Sequence, residues 1–289
     1  MARPKPISVT CLRAGLTTTH GVGWQGAVIS CGAMPIPRRI VQTHRSDRLH
    51  SQWRRTWVQH HPGFEHLFFD DAQCRAFIAE HSPDMLDTYD RLPLPVQKAD
   101  LFRYAVIHEL GGTYADVDTI CCAPLDSYLD MTREHLVAGL EMAPGQFSGE
   151  PAQYVRQYCA PYQLLQWTFS APPRHPALAV LLDRIRYLVG SMTPELLATY
   201  SRNSRFTLEL TGPMLFTQVL NEFLSGTRPG SVTVLPRLAW GGWPAETARP
   251  ELAAQVKVRH LFEGSWKTDE PPGKPAATSP VRVSYRITR

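Results

Sequence analysis

The sequence predicts an α/β protein built around a mostly parallel sheet. Short β-rich runs alternate with helical runs between residues 35 and 115. Two aspartates then stand just past a short strand, where open α/β sheets collect their ligands. At 289 residues, 43% hydrophobic and 19% charged, the chain is long enough for one large self-supporting domain.

The elements follow in order. Arg39–Thr43 in "PIPRRIVQTH" (35–44) is the first strand. In "LHSQWRRTWVQHHPG" (49–63), Leu49, Trp53, Trp57 and Val58 recur at helical spacing, and Pro62-Gly63 stop the helix. "FEHLFFDD" (64–71) reads as a second strand and "AQCRAFIAEH" (72–81) as the next helix. "PLPVQKADLFRYAVIHELGG" (93–112) is a helix with Pro95 near its start and Gly111 as its left-handed stop. Val96, Ala99, Phe102, Val106 and Leu110 would form its buried stripe. Asp100 and Arg103 are neighbours on one of its faces. As a surface ion pair they would be worth ~0.5 kcal/mol. Their place beside the stripe, just before the paired aspartates, favours a role in a site.

Thr113–Ala115 is a short strand. Farther on, "PALAVLLDRIRYLVGSM" (176–192) is amphipathic, with His175-Pro176 as its entrance. "GPMLFTQVLNEFL" (212–224) is a helix whose N-terminus is suited to face a ligand.

Residues 1–33 read as a flexible N-terminal extension. Their "VISCG" (28–32) has the look of a lipoprotein cleavage site, but the preceding "GVGWQGAVIS" is a poor apolar core for a signal peptide. Residues 34–267 make the domain. Residues 268–289 are a tail, with "VRVSYRI" (281–287) as a terminal edge strand. The net charge of +4 is too small and too dispersed to argue for nucleic acid. Six cysteines without a CxxC pair suit reduced thiols, and so an intracellular, cytoplasmic protein. No apolar run is long enough to span a membrane, although peripheral contact at an inner membrane face is compatible.

The chemistry centres on "ELGGTYADVDTI" (109–120). In an extended segment, residues i and i+2 point the same way, so Asp116 and Asp118 would share a side and Val117 would enter the core. Two hard oxygen ligands at a strand end suit Mg²⁺ or Mn²⁺, with diphosphate oxygens completing the shell. An EF-hand would need Gly and Glu where Cys121 and Ser127 stand. An aspartyl-phosphate phosphatase would want Thr or Val in place of Ile120, and a downstream acidic metal cluster. A polar turn with no ligand is the plain structural alternative.

"KADLFRYAVIHELGGTYADVDT" (98–119) resembles the central block of the DXD-containing sugar transferases, glycosyltransferase family 32. That group includes the yeast initiating α-1,6-mannosyltransferases and the mannosyl-inositolphosphoceramide synthases. Further blocks occur in the family's order: "IPRRIVQT" (36–43), "LDTYDRLPLPVQKADLFRY" (86–104), "FSAPPRHPAL" (169–178), "TGPMLF" (211–216) and "HLFEGSW" (260–266). Val41 stands where the family usually has His, and His44 where it often has Trp.

The resemblance implies a GT-A fold and a retaining transferase that takes a nucleoside diphosphate sugar donor with Mn²⁺ or Mg²⁺. The acceptor would be a glycan or glycolipid. By the same resemblance, Asp118 binds the metal, and Asp116 contacts the ribose or sugar and the metal, directly or through water. Asp100 and Arg103 hold donor-sugar hydroxyls and phosphate, and Gln42 and Thr43 meet the nucleotide. His260 is expected at the metal or phosphate, and Ser265 and Trp266 at the donor. Tyr154, Tyr158, Tyr162 and Trp167 suit either an acceptor region or buried packing. GDP-mannose is the first donor to expect. A nucleotide-sugar hydrolase, a nucleotidyltransferase and an inactive sugar-nucleotide-binding module are the alternatives.

Overall fold

A computed structural model describes residues 34–48, 50–143, 154 and 160–263, all within the unit Ala33–Arg289. Residues 1–33, Ser265, Trp266 and the expected terminal edge strand lie outside the described residues.

Strand β1 (Arg39–Thr43) leads to helix α1 (Ser51–His60), and β2 (Glu65–Phe69) to α2 (Asp71–His81). Then come α3 (Leu86–Arg91), α4 (Pro95–Leu110), β3 (Gly112–Ala115), β4 (Thr119–Cys121), β5 (Leu136–Met142) and β6 (Gln163–Ala171). Helices α5 (Pro176–Gly190), α6 (Pro194–Tyr200), α7 (Ser204–Leu210) and α8 (Pro213–Leu224) follow. The described chain closes with β7 (Val232–Leu235), α9 (Arg237–Trp240), α10 (Pro244–Thr247) and β8 (Val258–His260).

The main sheet has the order β2-β1-β3-β6-β5-β7, and β4 pairs with β8 in a small second sheet. In the main sheet only β6 runs against the other strands. The α/β class expected from the sequence is therefore the class found.

Both faces of the sheet are covered. Val41 and Tyr114 face a core built from α2 to α8, whereas Ile40 and Ala115 face a second core with Trp57 of α1 and Trp240 of α9. This is the period-two alternation of strands buried on both sides. It also explains why β5, apolar along nearly its whole length, shows no alternation, whereas in β6 Gln166, Thr168 and Ser170 alternate with apolar residues but are buried as well.

Local chemistry sets several element ends. Asp70 accepts from the Gln73 amide while the Gln73 side chain accepts from the Asp70 amide, a reciprocal cap on α2. Helix α4 stops at Gly111, whose φ is 64°. A Cβ there would also stand 2.6 Å from Pro173 Cδ, so both conformation and space require glycine.

Two expected stripes are corrected. Val58 is 49% exposed, and among the described residues of α1 only Trp57 is buried. Helix α4 is buried on every side from Asp100 to Ile107, because it lies between the sheet and α2 and α5, so it has no single apolar stripe.

His175 at the start of α5 holds a neutral tautomer. Its Nδ1 accepts from the Ala177 amide at 3.2 Å and its Nε2–H donates to Ser231 O at 3.0 Å. Burial lowers its pKa to about 4. The unfolded chain takes up this proton near pH 6.5 and the folded chain only near 4, so stability is lost as the pH falls across that window. His175→Asn keeps a capping acceptor without titrating. Thermal unfolding between pH 7 and 4 should therefore show a wild-type melting temperature falling by a few degrees more than that of the variant.

Candidate functional site

The site begins where β3 ends. The Asp116 amide donates to Trp167 O at 2.8 Å. Its carbonyl accepts from Thr119 Oγ1 at 2.5 Å and Gln42 Nε2 at 3.4 Å. Thr119 Oγ1 accepts in turn from the Trp57 indole N–H at 3.0 Å. These bonds turn the chain over Val117 and Asp118 into β4. The expectation of extended alternation is thus corrected: β3 stops at Ala115, and the turn brings the two carboxylates together.

Pairing of β4 with β8 sets Thr119 opposite His260. His260 Nε2 then lies 3.1 Å from Asp118 Oδ1. The Leu261 amide donates to Asp118 O at 3.0 Å and the Glu263 amide to Asp118 Oδ2 at 3.2 Å. Trp167 stacks on the His260 ring at 4.5 Å. Asp116, Asp118 and His260 each offer a ligand atom, all within 4.8 Å of one another.

Behind this cluster lies Arg103. Its Nη2 is 3.2 Å from both Asp100 Oδ1 and Asp116 Oδ1, and Nη1 donates to Gln166 O at 3.3 Å. Asp100 also accepts from Gln166 Nε2 at 3.0 Å and Thr211 Oγ1 at 2.9 Å. The Tyr114 hydroxyl donates to Asp116 Oδ1 at 2.7 Å. The surface reading of the Asp100–Arg103 pair is therefore overturned: the two side chains are 2% and 6% exposed.

The electrostatics follow from burial. Burial raises the Asp100 carboxyl to about 6 against the pull of Arg103. Burial also raises Asp116, again opposed by Arg103. At Asp118 burial pushes the same way, but the bond and charge of His260 and the Glu263 amide outweigh it and hold the carboxyl below its usual range. Burial opposes the charge on Arg103, yet Asp116, Tyr114 and Asp100 keep its pKa above normal.

Three carboxylates set against one guanidinium leave two negative charges in a half-buried cluster. That residue of charge, carried by two oxygen donors and an imidazole, fits one divalent cation. His260 Nδ1 and Arg103 Nε are also buried polar atoms without a hydrogen-bond partner among the described residues.

A cleft of about 340 Å³ opens over the carboxyl ends of β3 and β1 and the start of α2. Its size suits a small-molecule ligand. Thr43, Arg103, Asp116 and Asp118 line it, together with His44, His50, Asp71, Tyr114 and Glu263. His50 Nε2 and Glu263 Oε2 lie 3.2 Å apart across the cleft.

Two expected donor contacts sit elsewhere. Asp100 is 1% exposed and stands behind Arg103, and Gln42 is buried against the Asp116 carbonyl. Both support residues that face the cleft. Thr43 lines the cleft, while its hydroxyl donates to Phe69 O at 2.8 Å. Tyr162 bonds Asn221 and Trp167 is 5% exposed, so both serve packing.

Tyr114, Gln166 and Thr211 belong to the site, although the sequence reading gave them no role. Tyr114 stands two residues before Asp116, and Thr211 opens the "TGPMLF" block. Gln166 lies in the segment 163–171, where polar and apolar residues alternate from Gln166 onward, and it had no role in the sequence reading.

A family model described as "Glycosyltransferase sugar-binding region containing DXD motif" matches residues 47–134, which span the turn and Arg103. The initiation-specific α-1,6-mannosyltransferase of Schizosaccharomyces pombe is 29% identical over 264 residues, covering 81% of this chain and 64% of that protein. Its Candida albicans namesake is 24% identical over 82% of this chain and 74% of its own length. The match thus spans a little under two thirds of the first relative and about three quarters of the second. Among solved structures, the PaToxG glycosyltransferase overlaps with a TM-score of 0.45 at 15% identity, over 78% of this chain and 85% of that one. The mostly parallel sheet flanked by helices is the Rossmann-like arrangement that the GT-A resemblance implies. The matched region encloses Asp116-Val117-Asp118 at the end of β3, so residues 47–134 are similar to the sugar-binding region of the DXD-containing glycosyltransferases.

Proposed function

We propose that the protein is a metal-dependent retaining glycosyltransferase. It moves a hexose from a nucleoside diphosphate sugar to a hydroxyl of a glycan or glycolipid. The observation that carries this reading is the convergence of Asp116, Asp118 and His260 on one point at a cleft that Arg103 also lines. The mannosyltransferases among the relatives make GDP-mannose the first donor to try.

A divalent cation, Mn²⁺ or Mg²⁺, supplies when bound a Lewis acid that neutralises charge on the departing diphosphate. Asp116, Asp118 and His260 are the residues that would hold it. Asp118 is ready for this work because His260 and the Glu263 amide keep it ionised. Tyr114 fixes the rotamer of Asp116 by donating to Oδ1. Arg103 lines the cleft as a fixed positive charge, and its two carboxylate partners secure both that charge and its orientation. Such preorganised charge is commonly the largest catalytic term.

In the transfer, the acceptor oxygen bonds the anomeric carbon. The bond from that carbon to the phosphate oxygen breaks, and its electrons leave with the nucleoside diphosphate. The hydroxyl proton passes to the leaving group.

Asp118→Ala and Asp116→Ala should each lower the rate of sugar transfer from GDP-mannose by about 10²–10³-fold at saturating Mn²⁺. Transfer that continues in EDTA, or in the double variant at the wild-type rate, would refute the reading. A pH–rate profile supplies a second check. Asp100 titrates near pH 6, and its protonation removes one of the two charges that hold Arg103. The kcat/KM should fall as the pH drops through about 6. Asp100→Asn should be slower throughout and lose the part of that fall due to this group.

A further inference from the structure

The sheet order gives the site two sides. Strands β1 and β2 lie on one side of β3, and β6 and β5 lie on the other. His44, His50 and Asp71, which line the cleft, come just after β1 and β2.

The opposite side carries a row of aromatic rings. Phe262 stands edge-on to the His260 ring at 4.1 Å, and Trp243 stacks on Phe262 at 5.1 Å and 25°. The row runs from the partner of Asp118 out to solvent, where Trp243 is 40% exposed. Gly241, two residues earlier, passes so close to the end of β5 that a Cβ there would stand 2.2 Å from Leu140 O. Trp243 is thus anchored beyond the carboxyl end of β5.

The platform is held in place. The Trp243 amide donates to Glu246 Oε2 at 3.0 Å, and the same oxygen accepts from Arg237 Nη1 at 2.7 Å. Phe262 has φ 53°, a strained conformation for a residue with a Cβ. Its two chain neighbours donate their amides to Asp118, so the metal-site aspartate maintains that strain.

We infer that Trp243 and Phe262 form the acceptor subsite and that its occupant is a saccharide. The inference rests on the transferase reading above. The C–H face of a pyranose is apolar and slightly positive, and it packs on the negative face of an indole. Phe262 directly precedes Glu263, which lines the cleft, and this places a pyranose lying on Trp243 beside the cleft. A lipid chain would want a continuous apolar groove. Among the described residues, the other exposed large hydrophobics (Val58, Tyr187, Leu196, Tyr200 and Leu224) all lie on other segments of the chain.

The test uses the full chain with Mg²⁺ and GDP, and α-1,6-mannotriose as the probe. Trp243→Ala should weaken trisaccharide binding in a calorimetric titration by about tenfold and raise its KM as acceptor by a similar factor. GDP affinity should stay within twofold of wild type, and Trp243→Phe should recover most of the loss. Three results would overturn the inference. One is Trp243→Ala binding the trisaccharide as tightly as wild type. Another is a parallel loss of GDP binding. The third is transfer to vesicles of an inositol phospholipid that is sensitive to the substitution while transfer to the trisaccharide is not. If the trisaccharide binds through Trp243 but no donor is turned over, this inference stands and the transferase reading fails. If donor is turned over while trisaccharide affinity is indifferent to Trp243→Ala, the transferase reading stands and this inference fails.

Discussion

A guanidinium shut away from water must be answered by anions, and Arg103 is answered by two. Asp100 holds it from within α4, and Asp116 holds it from the end of β3. Removing one partner of such a buried pair commonly costs about 3–5 kcal/mol, because a charge is left without compensation. Arg103 therefore binds fold and site together. Through Asp100 the network reaches Gln166 on β6 and Thr211 just before α8, and through Asp116 it reaches the turn that carries the second aspartate. The burial of α4 on every side supplies the low dielectric that makes these contacts strong.

The site is assembled by long-range pairing. Asp118 and His260 are 142 residues apart, yet the β4–β8 ladder sets them side by side. The same ladder delivers the Leu261 amide to the Asp118 carbonyl and the Glu263 amide to its carboxylate, which the His260 ring also meets. The structure spends two short strands, separate from the main sheet, on this one task.

This arrangement explains what could be read in the sequence. Arg39–Thr43, the alternation of strand and helix through α4, and the Asp116–Asp118 pair were legible because each carries a local signal: a β-branched run, a helical period, a glycine stop. Strand β5 was not, since burial on both faces leaves it nearly all apolar, and β6 was not although Gln166, Thr168 and Ser170 alternate with apolar residues along it. Asp100 and Arg103 were legible as a pair, but their burial was not, because α4 is enclosed by elements distant in sequence. Gln42 and Asp100 were expected to touch the donor. They instead hold Asp116 and Arg103, a distinction between facing a ligand and supporting what faces it that only packing decides.

Two negative charges are left over after Arg103 is matched, and with an imidazole converging on them they form an arrangement that would hold one divalent cation. Anomalous diffraction from crystals soaked in Mn²⁺ and GDP tests this central claim most directly. The expected result is a manganese peak bonded to Asp118, at about 2.0–2.2 Å, and shared with Asp116 or His260 and a diphosphate oxygen. Bound GDP with no manganese at these side chains, or with manganese elsewhere in the cleft, would contradict it.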